Sequence, residues 1–341
     1  MMTGLIILLL LVFFLPFTVK TVERNLEIFI FIMGVTATLI SGTFSRPLLL
    51  QALKDPIKIT IAVVIAGLFF KVFKDQIEAA IHMMLNKLSF SIFIAVTIVL
   101  LGLLSSIITA IIAALILVLI IDSLPLDRKE MVRFAVIGCF SIGLGAALTP
   151  IGEPLSTITI SKLQGDFFLL FRLIALYVVP GIIFLSIYAA IIIKPAKIIK
   201  VRRNEDKERL EDILGRAIKI YFFVMGLTFL GTGFEPLIEA YLIHLSPYIL
   251  YWINIISAVL DNATLAAAEI SPSMEIESIK AVLLGLLVSG GMLLPGNIPN
   301  IISAGKLYIT SREWARFGIP LGFGMLIIYF FTILVENVIL G

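Results

Sequence analysis

Apolar residues run along this chain in blocks near the length of a membrane-crossing helix, separated by short polar punctuation. The blocks fall at about residues 3–19, 26–45, 56–73, 88–104, 107–122, 131–148, 170–193, 217–233, 248–262, 277–294 and 315–338. They predict an all-α, polytopic membrane protein with about 10–11 transmembrane helices. The short alternating segments of a membrane β-barrel are absent from the sequence. Two charged, amphipathic stretches, 75–87 and 235–247, read as segments lying along the interface. The first block lacks a basic start and a small-residue cleavage site, so it reads as a retained helix rather than a signal peptide.

Composition agrees with the pattern. Hydrophobic residues make up 60% of the chain and charged residues 14%, with a mean hydropathy of +1.13; a soluble domain is about half apolar and a quarter charged. The partner this implies is the lipid bilayer, and the expected location is the cell membrane. The net charge of +3 is small, and its placement says more. Lys194, Lys197, Lys200, Arg202, Arg203 and further basic residues fall in 194–219, which the positive-inside rule puts in the cytoplasm.

That loop divides two halves that echo each other. Gly67-Leu68-Phe69-Phe70 matches Gly226-Leu227-Thr228-Phe229, and Ile77-Glu78-Ala79 matches Ile238-Glu239-Ala240. Ser105 occupies the place of Asp261. Gly145 to Pro150 aligns with Gly290 to Pro295, Pro154 with Pro299, Lys162 with Lys306, and Arg172 with Arg316. The expected organisation is 1–55 outside the repeat, 56–193 as the first repeat, 194–219 as a basic linker and 220–341 as the second repeat. Duplicated halves with interrupted helices at matching positions point to a secondary transporter.

Each half has two breaks. The first are at 105–109 and 261–264; the second are at 149–157 and 295–300. Proline removes a backbone donor and clashes with the preceding turn, so Thr149-Pro150-Ile151-Gly152-Glu153-Pro154 and Pro295-Gly296-Asn297-Ile298-Pro299-Asn300 cannot stay regular helix. Irregular backbone at membrane depth has to be buried in protein or line a watery cavity. Its carbonyls can hold a cation, and half-helix N-termini can hold an anion.

Asp261 stands out because an aspartate at a helix centre in a membrane costs roughly 2.5–3.5 kcal/mol on insertion scales. If the breaks of one half meet, one site uses Ser105, Ser106, Thr109, Thr149, Gly152, Glu153 and Ser156. The other uses Asp261, Asn262, Thr264, Gly296, Asn297 and Asn300, with Asp261 and Asn262 as sodium ligands. Plainer roles exist for each. Asp261 can cap the helix that follows, and Glu153 can be a surface turn residue. Asn297 and Asn300 can satisfy broken backbone, and the hydroxyls can bridge packed helices. Glu269, before Ser271-Pro272, reads as a helix end near water. Asp122 and Glu336 also read as helix-end residues, and Arg172 and Arg316 as interfacial anchors.

Cys139 is the single cysteine, and His82 and His244 are the two histidines. Disulfide frameworks and Cys or His metal clusters are therefore excluded within one chain. No Walker loop, Rossmann glycine pattern, nucleic-acid motif, His-Glu-x-x-His or Gly-x-Ser-x-Gly is present. The expectation is a protein that is not an enzyme, binds no nucleic acid and needs no cofactor beyond bound sodium.

These stretches resemble the ion transporter superfamily, which includes NhaD-type sodium/proton antiporters, arsenite-pump membrane subunits and sodium-coupled citrate and dicarboxylate carriers. Asp261-Asn262-Ala263-Thr264 looks like the tip of a second-half re-entrant hairpin. Ser289-Gly290-Gly291-Met292-Leu293-Leu294-Pro295-Gly296-Asn297 looks like the stretch after it, and Ser105-Ser106 to Thr109 with Gly145 to Gly152 like the first-half versions. The chain is most similar to an uncharacterised prokaryotic family of proposed cation transporters. The first tip departs from the pattern, with Ser105 and Ser106 and no Asn. The resemblance implies inverted repeats, a transport domain moving against a scaffold, and a homodimer. The expected function is a sodium/proton antiporter-like carrier working by alternating access; the alternative is a sodium-coupled carrier of a dicarboxylate or oxyanion.

Overall fold

The structure, a computed structural model, describes residues 1–57, 60–61, 64–65, 68, 76, 83, 87–196, 210–241, 245–260, 262–270, 272 and 274–340. Asp261, His82, His244, most of the 56–73 block, most of the 75–87 stretch and most of the basic loop lie outside the described residues.

Among the described residues the secondary structure is helical, with no strand. The chain starts with α1 (Met2–Thr18), α2 (Lys20–Arg24) and α3 (Leu26–Ser41). The first half then holds α4 (Phe90–Ile108), α5 (Ala110–Asp122), α6 (Arg128–Ala146), α7 (Pro154–Lys162) and α8 (Leu169–Ile192). The second half opens with α9 (Leu210–Tyr241), then α10 (Pro247–Ile253) and its 3-10 extension Asn254–Ala258. It continues with α11 (Asn262–Glu269), α12 (Ile276–Met292), a 3-10 turn Leu294–Gly296, α13 (Ile298–Leu307) and α14 (Ser311–Leu340).

Three short helices, α7, α11 and α13, follow the breaks and are not visible in hydropathy, because each is brief and carries polar residues along its length. Proline sits in the first turn of α7 and of α13, where its missing N–H has no partner to lose. The 235–247 stretch differs from the interfacial segment expected of it. The helix α9 runs on through Pro236 to Tyr241, so the first part of that stretch continues a long helix.

Two helices form the centre. Residues 134–149 and 281–297 are buried without interruption, as expected for helices that are apolar all round and enclosed by protein. They span most of α6 and α12, which pack on each other with the Phe140 ring against Gly291. Around them, α4 and α8 enclose α6, while α10 and α14 enclose α12. Tyr329 Oη donates to the Tyr177 carbonyl (3.1 Å), and Tyr251 Oη to that of Leu326 (2.7 Å), tying these outer helices together. At the rim, Arg128 bonds Glu313 at 2.6 Å and donates to the carbonyls of Leu307 (2.9 Å) and Tyr308 (2.6 Å). It thus fastens the C-terminal end of α13 to the start of α6.

The N-terminal helices pack on the second half. At the contact of α3 with α9, a Cβ on Gly226 would stand 2.6 Å from the Phe31 nitrogen, and one on Gly34 would collide with the Gly226 carbonyl. One on Gly233 would lie 2.5 Å from the Ala37 Cβ. The backbones touch because no side chain intervenes, the small-residue packing common between membrane helices.

The outer faces are apolar and exposed: Leu176 is 81% exposed and Ile107 66%. Among the described residues four helices, Phe90–Ile108, Leu169–Ile192, Ala217–Ile238 and Ser311–Glu336, are long and apolar enough to cross a membrane. Just before the second of those spans, Asp166 accepts a bond from Arg172 at 2.8 Å, which holds its carboxyl below the usual aspartate range.

Candidate functional site

The two breaks of each half meet. In the first half the Ala110 N–H, at the start of α5, donates to the Gly152 carbonyl at 2.9 Å. Thr149 Oγ1 donates to the Ser106 carbonyl at 2.5 Å. In the second half a Cβ on Gly296 would stand 2.6 Å from the Gly290 carbonyl and 2.8 Å from the Ser257 carbonyl. Only glycine lets the second break approach the first so closely.

The hydrogen bonds also give the register of the repeat. Ser105 Oγ lies 2.9 Å from the Ile142 carbonyl, and Ser257 Oγ lies 3.1 Å from that of Leu286. Ser156 Oγ donates to the Ala146 carbonyl at 3.4 Å, and Asn300 Nδ2 to that of Gly290 at 2.8 Å. Glu153 (φ −154°, ψ 162°) and Asn297 (φ −155°, ψ 143°) cap α7 and α13 with nearly the same backbone. Gln164 (φ 50°) and Tyr308 (φ 52°) follow the ends of those helices in the left-handed region. The matched residues are therefore Ser105 with Ser257, Ala146 with Gly290, Gly152 with Gly296, Glu153 with Asn297 and Ser156 with Asn300.

This register corrects the pairing expected from residue identity. Asp261 immediately precedes α11 as Thr109 precedes α5, so its positional counterpart is Thr109 and not Ser105. The counterpart of Glu153 is Asn297 and not Ile298. Thr109 holds a positive φ of 77° and accepts a bond from the Ile112 N–H at 3.4 Å. A β-branched residue is rarely found there.

In the first-half cluster Glu153 is 6% exposed, so it is buried and not a surface turn residue. Ser105, Ser106, Thr149 and Ser156 are buried as well. In the second half Asn262, Gly296, Asn297 and Asn300 are all buried. Asn300 Nδ2 also reaches the Leu293 carbonyl at 2.8 Å, while its Oδ1 has no hydrogen-bond partner. Asn262 Nδ2 has none either and lies 3.5 Å from where a Cβ on Gly290 would stand. Thr264 falls inside α11. Beside Pro295 a space of about 10 Å³ is lined by residues that include Val259, Leu294 and Ser311. That is near the lower limit for one water.

The halves also interlock. The short helices pack across the molecule, α5 against α13 and α7 against α11. Asn297 Nδ2 would be 2.8 Å from a Cβ on Gly143, and Cys139 Sγ lies 3.2 Å from Ser303 Oγ. Both second-break segments therefore rest on one face of α6, the face of Gly143 and Ala146.

Two buried polar residues of the second half lie outside the site residues expected from the sequence. Asn254 is 1% exposed and Glu269 5%, and Asn254 Nδ2 donates to Glu269 Oε2 at 3.0 Å. Glu269 ends α11 as expected, but inside the protein and not near water. The signal in the sequence was the apolar context on both sides, Ala266-Ala267-Ala268 before it and Ile270 after it. Elsewhere Asp122 ends α5 at an exposed position, Arg316 is exposed, and Glu336 pairs with Lys280 at 2.8 Å.

Helices broken in pairs, buried at the break and wrapped in apolar outer faces define an all-α membrane protein. Over residues 2–336 the chain matches, and belongs to, a family described as protein of unknown function (DUF1646). No curated protein matches the sequence.

Proposed function

We propose that this protein is a secondary active transporter of small ions that exchanges sodium for protons across the cell membrane. The observation that carries the reading is the meeting of the two second-half breaks around Asn262, Gly296, Asn297 and Asn300. There Asn300 Oδ1 is buried without a hydrogen-bond partner. A buried carbonyl oxygen left unpaired is unfavourable, and a hard cation that takes oxygen ligands would satisfy it. Asp261, next in sequence to Asn262, supplies the negative charge in this reading. Sodium and a proton then compete for its carboxylate, with Thr264 and freed backbone carbonyls completing the shell. Motion of the hairpin-bearing part against the remaining helices alternates access, and a homodimer of the chain completes the reading.

The test is sodium-driven pH change in proteoliposomes. Asp261→Asn is expected to abolish exchange to the level of empty vesicles while the purified variant keeps its thermal midpoint. Wild-type exchange rates in that variant would remove Asp261 from the site.

A second reading, a sodium-coupled carrier of a dicarboxylate or oxyanion, draws on one feature. In the first half the start of α5 bonds Gly152 just ahead of α7, and in the second Gly296, just ahead of α13, approaches Ser257 and Ala258 ahead of α11, so positive dipole ends that favour an anion lie near the breaks. Sodium-dependent uptake of a labelled dicarboxylate, with no sodium-driven pH change, separates it from the first.

A further inference from the structure

The hairpin formed by α10, its 3-10 extension and α11 encloses a polar pair apart from the break. Asn254 Nδ2 donates to Glu269 Oε2 at 3.0 Å. The remaining oxygen of each side chain, Asn254 Oδ1 and Glu269 Oε1, is buried and has no hydrogen-bond partner. With Glu269 ionised both of these atoms can only accept, and neither has a donor. A carboxylate buried in this way without a cation is costly.

Among the described residues, the side-chain bond to Glu269 comes from Asn254. The charged side chains on the elements packed against α11 include Lys162 on α7, Glu211, Lys219 and Glu235 on α9, and Glu277 and Lys280 on α12. Lys280 is engaged by Glu336. On α9, Tyr221 donates to the Leu53 carbonyl, and Tyr241 is exposed.

One proton removes both defects. Bound at Glu269 Oε1, it turns that acceptor into an O–H donor, and Asn254 Oδ1 is the acceptor left over. Acid and amide then close a ring of two hydrogen bonds. We propose that Asn254 and Glu269 form a proton-binding pair, separate from the site at Asp261, that ties the two arms of the hairpin together when occupied. Loss of the proton to water leaves one bond between the arms and two unpaired acceptors, so the hairpin is loosened by deprotonation. That this proton is the one exchanged for sodium rests on the transport reading above; the protonation of the pair does not.

Infrared difference spectroscopy of the full chain in lipid nanodiscs, titrated with pH, tests the proposal. The wild type is expected to show the carbonyl stretch of a protonated carboxylic acid at neutral pH, which disappears as pH rises. Glu269→Gln, whose amide can form the same ring, is expected to lack that band and keep its thermal midpoint. Asp261→Asn is expected to retain it. Asn254→Ala leaves Glu269 in place and serves if the first variant does not fold; losing the ring partner is expected to shift the band. A band that persists in Glu269→Gln, stays unmoved in Asn254→Ala, or is missing from the wild type overturns the pair. Absence of sodium-driven pH change in wild-type proteoliposomes overturns the transport reading and leaves the Glu269 band where it was, so the two failures are distinct.

Discussion

The two break clusters share a register but differ in the side chains that line it. In the first half Ser105 lies within bonding distance of Gly102 and Ile142, Ser106 bonds Leu103, and Thr149 bonds Ser106. Ser105 and Thr149 bridge backbone segments, and Ser106 bonds back within α4. In the second half two asparagines, Asn262 and Asn300, each keep one buried polar atom unpaired. The first-half hydroxyls are taken up by hydrogen bonds, while the second-half amides keep vacant bonding capacity. The matching hydrogen bonds define two equivalent positions, and side-chain identity makes one rich in bonded hydroxyls and the other rich in amides with unpaired atoms.

The matched residues allow this contrast to be broken by substitution. The largest difference is expected between Asn300→Ala and Ser156→Ala. The first removes two bonds of 2.8 Å and orphans the Gly290 and Leu293 carbonyls, a loss of about 2–4 kcal/mol. The second removes one bond of 3.4 Å, worth under about 1 kcal/mol between membrane helices. Denaturant unfolding in detergent measures both, and equal losses would contradict the asymmetry. A smaller effect is expected for Ser105→Ala and Ser257→Ala, about 0.6 kcal/mol each. Their near equality is the point, because unequal losses would dissolve the register inferred from Ile142 and Leu286.

The smallest effect concerns a pair with no second-half copy. Arg172 holds Asp166 below the ordinary aspartate range, so this pair adds stability above the unfolded aspartate pKa. That contribution disappears as pH falls through the lower folded value. Arg172→Ala is expected to lose it with only a slight change in thermal midpoint, as befits an exposed pair. A large change would mean that the loop before α8 bears more of the fold than its exposure implies.

The breaks themselves were legible, because proline and glycine in an apolar run leave few alternatives. The exact register was not. Pro154 and Pro299 look like counterparts, yet both are tolerated anywhere in the first turn of a helix; the caps Glu153 and Asn297, alike in backbone and unlike in chemistry, are the true pair. Ser105 and Asp261 were likewise joined by rank order along the chain, whereas Ser257 makes the matching bond. The burial of Glu269 depends on α7, α9 and α12 closing over α11, a tertiary event that the neighbouring Ser271-Pro272 conceals. Asp261, the residue that drew most weight in the sequence, lies outside the described residues, and its role rests on its chemistry and its neighbours.

The glycine seam between α3 and α9 has a mechanical consequence. Two backbones in contact at Gly34, Gly226 and Gly233 leave no lubricating layer of side chains between them. Sliding or rolling there would drive carbonyls into main-chain atoms, so α3 and α9 share their degrees of freedom. The chain's opening helices are therefore ballast for its second half, and any large internal displacement has its fulcrum elsewhere.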